Sequence, residues 1–253
     1  MSDITLSVTG GVAEIVLTRA VALNALRLTT ATELVEALER VAADRNVRAV
    51  VLRGDGRAFC AGGDIVEMAS ATDPQKYLED LVGAMNVVIR TIVELPIVVV
   101  AAVHGSVAGG GVGLMLAADI IVADSDTTFV PAYGKVALTP DCGVTALLPA
   151  AVGYPRALSF LVATSELTAN SALSWGMISR VCEVGGASAV GLQIASEIAR
   201  QPAHVSGATK QLLRMQFPHL SAALEREAVT IVHSSGSTEA RHLIGSFASS
   251  TGV

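Results

Sequence analysis

The stretch Pro96–Asp119 constrains the fold more than any other: P-I-V-V-V-A-A-V-H-G-S-V-A-G-G-G-V-G-L-M-L-A-A-D. Ile97 to Val103 is a run of β-branched and small residues bounded by a proline, which predicts a buried strand. Gly105 and then Gly109, Gly110 and Gly111 follow, and Leu114 to Ala118 continue as good helix formers. A helix that starts at a glycine cluster presents free backbone N–H groups at the positive end of its dipole. Without β-carbons, a ligand can come close to that backbone. The stretch is suited to holding a negatively charged oxygen, unless its glycines serve only to pack a helix tightly on a sheet. Neither G-x-G-x-x-G nor G-x-x-x-x-G-K-[ST] occurs, so neither a dinucleotide fold nor a P-loop is supported.

Composition narrows the classes. The chain has 253 residues, 51% of them hydrophobic and 16% charged, enough for a large core in a single α/β domain. Net charge is −6 with no Lys/Arg cluster, which argues against a nucleic-acid surface. Cys60, Cys142 and Cys182 form an odd, sparse set, as expected of reduced thiols in a cytoplasmic protein. No C-x-x-C or Cys/His spacing suggests zinc, so no metal is expected. The first residues lack a basic region followed by an apolar run, and no apolar stretch reaches membrane length. Neither a signal peptide nor a membrane association is therefore expected.

Along the chain, Ile4–Val8 and Val12–Thr18 alternate across Gly10-Gly11 and predict a hairpin. Thr29–Ala43 has helical spacing, with Thr29 or Thr30 as N-cap. Ala49–Arg53 reads as a buried strand, and R-A-F-C-A-G-G-D-I-V-E-M (57–68) as a second strand-to-glycine corner. Asp64 is placed to cap the short helix that follows. Pro74 opens a helix running to about Val93, and Asp119–Ala123 is another strand. Thr128–Gly143 reads as a loop. Helices are expected over Val144–Ala151, Tyr154–Ala163 and Ala169–Trp175, then a short strand over Val181–Val184. The remainder reads as helical over Ile194–Arg200, Gly207–Met215, Leu220–Val232 and Glu239–Phe247. His104 reads as a structural hydrogen-bonding residue at a strand end, and Met177 and Trp175 as core.

Five motifs stand in order: L-T-R-A-V-A-L-N-A-L, F-C-A-G-G-D, H-G-S-V-A-G-G-G-V-G, F-V-P-A-Y-G with L-T-P-D-C-G, and A-L-S-W-G-M-I-S-R-V. Together they resemble the enoyl-CoA hydratase/isomerase (crotonase) family, from about Val12 to Val184. The resemblance implies an α/β fold, a crotonase-like ββα spiral over 1–190, with a C-terminal helical extension over 191–253 that forms trimers or dimers of trimers. It implies an acyl-CoA thioester as substrate, with coenzyme A part of the substrate and no separate cofactor. Two backbone N–H groups, by position those of Ala61 and Gly110, would bind the thioester oxygen. Substrate would lie along Asn24, Ala25, Leu26, Ala61, Gly62, Gly63, Asp64 and Ile65, with Gly109, Gly110, Pro131, Tyr133 and Leu138 lining the acyl end. Asp64 would accept from the adenine amino group or simply cap its helix.

The chain departs from the family's hydratases. Their two glutamates fall at Gly113 and Tyr133 here, and neither residue can act as a carboxylate base. Asp141, in L-T-P-D-C-G, is the remaining acid and resembles the aspartate of the P-D-x-G enoyl-CoA isomerases. It would move a proton between C2 and C4 of a 3-enoyl-CoA, and its alternative role is to cap the helix after it. The chlorobenzoyl-CoA dehalogenases of the family also carry an aspartate there but need a histidine from the preceding helix, which Tyr77–Val93 lacks. The expected function is double-bond isomerisation. The alternatives are a hydratase with a non-standard base and a non-catalytic acyl-CoA-binding protein.

Overall fold

Gly10 and Gly11, at φ 59° and 83°, turn β1 (Ile4–Thr9) back onto β2 (Val12–Leu17) as the expected antiparallel hairpin. Left-handed conformation at both central residues matches the right-handed twist of the strands. The computed structural model describes residues 2–215 and 219–250; of the helical extension expected over 191–253, residues 216–218 and 251–253 lie outside that range.

The first long helix is α1 (Leu28–Ala43), and neither threonine caps it. Thr30 instead donates its hydroxyl to the buried Asp3 at 2.6 Å, and Arg27 closes the same carboxylate from the other side at 2.7 Å. The chain then runs through β3 (Ala49–Gly54), α2 (Ile65–Ser70) and α3 (Pro74–Glu94). Asp73 caps α3 at Lys76 N–H, one residue before the proline. There follow β4 (Val98–Val103), β5 (Ser106–Ala108), α4 (Gly110–Ala117), β6 (Ile120–Asp124) and β7 (Thr128–Val130). The segment read as loop over 128–143 thus holds a short strand and a 3-10 turn at Tyr133–Val136. Strand β7 pairs in parallel with β5. Sequence periodicity cannot register a strand of three residues.

After α5 (Val144–Val152), α6 (Tyr154–Ala163), β8 (Leu167–Thr168), α7 (Ala169–Trp175) and β9 (Arg180–Cys182), the chain is helical: α8 (Ala187–Ala199), α9 (Ala203–Arg214), α10 (Leu220–Ser235) and α11 (Thr238–Ser250). Among the described residues the strands form a six-stranded sheet, β1-β2-β3-β4-β6-β9, and a three-stranded one, β5-β7-β8. Strands β2 through β9 of the larger sheet run parallel. Their near-continuous apolar sequences fit burial on both faces. Helix α8 covers one face, with Gly191 against Ala102. The other face meets the main core, which includes α1, α3 and α4. Every residue of α4 is buried, so this helix runs through the interior with no polar face.

The two sheets meet through a short ladder between the glycine corners. Phe59 N–H donates to His104 O at 2.8 Å, Cys60 N–H to Ser106 O at 3.4 Å, and Ala108 N–H to Cys60 O at 2.9 Å. His104 braces the ladder from its side chain, which bonds Gly56 O at 2.9 Å. Gly105 sits at its tightest point: φ is 57°, and a β-carbon there would lie 2.1 Å from Arg57 O. Gly105→Ala is expected to cost on the order of 3 kcal/mol in thermal or denaturant unfolding, because backbone must move. Gly10→Ala serves as the comparison. Its φ is also positive, but nothing lies within 4 Å, so about 1 kcal/mol is expected from backbone strain alone.

Candidate active site

The paired corners wall one end of a cavity of about 420 Å³. Of the residues expected at the site, Ala25, Ala61, Gly62, Gly63, Asp64, Ile65, Gly109, Gly110, Tyr133, Leu138 and Asp141 line it. Three do not. Asn24 is 1% exposed and spends its amide on Asp55 O and Ala58 O, each at 2.9 Å, so it braces the turn before the corner. Leu26 is buried, and its backbone joins the corner as a parallel bridge partner of Gly63. Pro131 is buried beside the cavity, with its carbonyl taken by Tyr133 N–H at 2.7 Å.

Backbone geometry also corrects the choice of oxyanion donor. Ala61 N–H is spent on Leu23 O at 3.0 Å. Gly62 then takes φ 94°, and Asp64 N–H returns to the same neighbouring segment, to Leu26 O at 2.8 Å. The intervening Gly63 N–H has no acceptor among the described residues, and a β-carbon on Gly63 would meet open space. Gly110 opens α4 and its N–H has no intrahelical partner. Gly62 packs on Ala108 and Gly109, so the two corners are in contact. Gly63 and Gly110, not Ala61, carry the open N–H groups.

Asp64 has both carboxylate oxygens engaged. Oδ1 caps α2 at Glu67 N–H (2.9 Å), and Oδ2 pairs with Arg19 at 2.6 Å. The capping role is realised, with an ion pair that sequence alone did not suggest.

Asp141 is the other acid of the cavity lining among the described residues. It is partly exposed, and a β-carbon on Gly110 would lie 3.5 Å from its Oδ1. The buried Tyr133 hydroxyl donates to that oxygen at 3.0 Å. Burial pushes the Asp141 carboxyl up to about 6, against the pull of hydrogen bonds from Tyr133 and the Cys142 thiol. Burial also lifts Tyr133 well above its ordinary range and Cys60 up to about 12, so neither ionises near neutral pH and Cys60 is no nucleophile. The space a glutamate would need at position 113 is occupied. A β-carbon on Gly113 would lie 2.4 Å from Cys142 O and 2.5 Å from Cys142 Cβ.

Sequence reading missed much of the apolar wall, which Met68, Leu78, Leu81, Ile231 and Phe247 supply beside Val136. Ile231 and Phe247 come from α10 and α11, and helical periodicity does not say which cavity such residues reach. Arg57 and Lys135 add positive charge to the lining. A larger cleft of about 880 Å³ lies between the end of α4, α5, α9 and α10, but it holds neither glycine corner nor Asp141. Its Asp119, Lys210 and Arg214 are already tied together, with Lys210 also donating to Ile92 O and Ile97 O. The smaller cavity is therefore the candidate site. Among the described residues no cluster of three or more His, Cys, Asp or Glu could hold a metal, and no helix is long and apolar enough to cross a membrane.

The chain is similar to known proteins over most of its length. Residues 7–248 match the family described as enoyl-CoA hydratase/isomerase. The chain is 35% identical over 207 residues to 1,2-epoxyphenylacetyl-CoA isomerase of Escherichia coli (strain K12), covering 80% of this chain and 78% of the relative. It is 34% identical over 232 residues to 4-chlorobenzoyl coenzyme A dehalogenase-2 of Arthrobacter sp, covering 90% and 84%. The crystal structure of an enoyl-CoA hydratase from Mycobacterium avium subsp. paratuberculosis K-10 superposes with a TM-score of 0.89 at 28% identity, over 97% of this chain and 98% of that one.

The raised Asp141 pKa has a consequence for stability. A carboxyl near 6 in the folded state and near 3.8 when unfolded binds its proton more tightly when folded. Stability is then fullest below about pH 4 and falls as pH rises through about 6. Asp141→Asn removes that charge, and is expected to stabilise the protein at pH 7.5 by on the order of 1–3 kcal/mol. Denaturant unfolding at pH 4 and 7.5 checks this, since the gain should shrink at the lower pH.

Proposed function

Because the chain belongs to the enoyl-CoA hydratase/isomerase family, whose members act on acyl-CoA thioesters, we propose that it shifts the double bond of a 3-enoyl-CoA to the 2-position. The observation that carries the reading is a single available carboxylate, Asp141, beside the open N–H of Gly110, with position 113 closed to a second acid. Asp141 takes a proton from C2. The thioester oxygen becomes a dienolate oxyanion and is held by the N–H groups of Gly63 and Gly110. Asp141 then returns the proton to C4. An oriented donor of this kind is typically worth about 3–4 kcal/mol to such a transition state. A carboxyl near pKa 6 is a stronger base than an ordinary aspartate yet remains ionised at neutral pH.

Hydration needs a second acid–base group to activate water. Tyr133 cannot serve as a carboxylate base, and its hydroxyl is already committed to Asp141. For dehalogenation, α3 supplies no histidine, and among the described residues none lines the cavity. Arg57 and Lys135 suit the phosphates of coenzyme A, while Met68, Leu78 and Ile231 suit the acyl chain. The same reading makes the helical extension a subunit interface of a trimer or dimer of trimers, where the exposed Leu212, Leu213 and Met215 would be covered.

With 3-enoyl-CoA, the wild type is expected to form 2-enoyl-CoA, and Asp141→Asn to lose at least a thousandfold in kcat while still binding the thioester. The low-pH limb of kcat/KM should fall near pH 6, with activity lost as Asp141 protonates. Gly113→Glu should not create hydratase activity, because the new side chain would displace Cys142. Water addition to 2-enoyl-CoA undiminished in Asp141→Asn would restore the hydratase, and tight binding without turnover would leave an acyl-CoA-binding protein.

A further inference from the structure

Helix α5 is capped from a distance. Gly143, the residue before it, has φ 75° and no side chain, and Cys142 before that has φ 55°. Gly143 O accepts Ala146 and Leu147 N–H, but no side chain at the N-cap reaches the N–H of Thr145 or of Gly143 itself. The carboxylate of Glu227, on α10 and 4% exposed, does so. Its Oε2 accepts Gly143 N–H at 2.7 Å, and its Oε1 accepts both the N–H and the hydroxyl of Thr145, at 2.7 and 2.5 Å. A carboxylate at the positive end of a helix dipole is favourably placed.

Asp141 stands where a helix-capping aspartate would, yet its carboxylate is bonded to Tyr133 and Cys142, and only its backbone oxygen meets the helix, at Val144 N–H. We propose that Glu227 is a positioning residue for Asp141. By capping α5 from α10, it fixes Cys142 and Gly143 in the left-handed turn and leaves the Asp141 carboxylate free to face the cavity. Without Glu227, the open N–H groups of Gly143 and Thr145 would draw in the nearest carboxylate, which is Asp141. The inference rests on the proposed catalytic role of Asp141.

The test compares Glu227→Ala, Glu227→Gln and Thr145→Val, each alone, and Glu227→Ala on the Asp141→Asn background. Glu227→Ala should lower kcat ten- to a hundredfold with KM within twofold of wild type. On the Asp141→Asn background it should lower the residual rate less than twofold. Glu227→Gln, which keeps one acceptor, should fall between, and it carries the same readouts if the alanine variant does not fold. Thr145→Val, which leaves the Gly143 bond in place, should stay within threefold of wild type.

A second readout does not need turnover. The Tyr133 hydroxyl proton, bonded to Asp141 in a buried site, should give a slowly exchanging NMR signal, identified by its loss in Tyr133→Phe. Glu227→Ala should erase it. A Glu227→Ala protein that melts lower but keeps kcat within twofold and retains the signal would overturn the inference. So would an equal loss of rate on the two backgrounds. If the wild type does not isomerise 3-enoyl-CoA, the proposed function fails, and the Tyr133 signal alone decides the role of Glu227.

Discussion

Everything at the site depends on the contact between two glycine corners. Residues 59–63 and 104–111 lie against each other with backbone bonds from Phe59 to His104 and between Cys60 and Ala108. The approach is so close that a β-carbon on Gly111 would lie 2.7 Å from Cys60 O, and one on Gly62 would lie 2.9 Å from Ala108 O. This backbone-on-backbone packing brings the open N–H of Gly63 to the same cavity as the open N–H of Gly110. Neither corner makes such a site alone. Elsewhere the chain holds these two segments in place: α8 and the parallel strands fix where β4 ends, and the buried α4 fixes where Gly110 begins.

The acid at the site is governed by what it does not do. An aspartate before a helix ordinarily satisfies that helix's N–H groups, and in doing so would turn away from a ligand. Here the capping is done by Glu227, and among the described residues the Asp141 carboxylate is met by Tyr133 and Cys142, which leave it facing the cavity. Burial outweighs the pull of those partners, so the carboxyl rises to about 6. Asp141 and the buried Glu227, 86 residues apart in sequence, bring two carboxylates to the same end of α5, a poor arrangement for stability. That suits a site where charge placement serves chemistry.

The sequence made the corners legible because glycine clusters and β-branched runs are local signals. Strands β3, β4 and β6 and helices α3, α4, α5, α6 and α7 lie within a few residues of where periodicity and capping residues put them. Three kinds of feature stayed hidden. Donor direction was one: the resemblance pointed to Ala61, and only the backbone shows that Ala61 N–H turns inward to Leu23 O while, past Gly62, the N–H of Gly63 stays open. Side-chain destination was another. Thr30 bonds Asp3 rather than capping α1, and Asn24 braces a turn rather than touching the cavity. Long-range capping was the third, since Glu227 lies 84 residues from Gly143 and reads as one more charge on an amphipathic helix.

If Asp141 alone carries the proton from C2 to C4 of the dienolate, a label placed at C2 must follow it. The most direct measurement uses 3-enoyl-CoA carrying deuterium at C2, with the position of label in the 2-enoyl product followed by NMR. Transfer of a substantial share of deuterium from C2 to C4, with no hydroxyl added at C3, is the predicted result. Product labelled at C4 only from solvent, or a hydroxyl at C3, would contradict a single-carboxylate shuttle and point to a second group that brings water into the site.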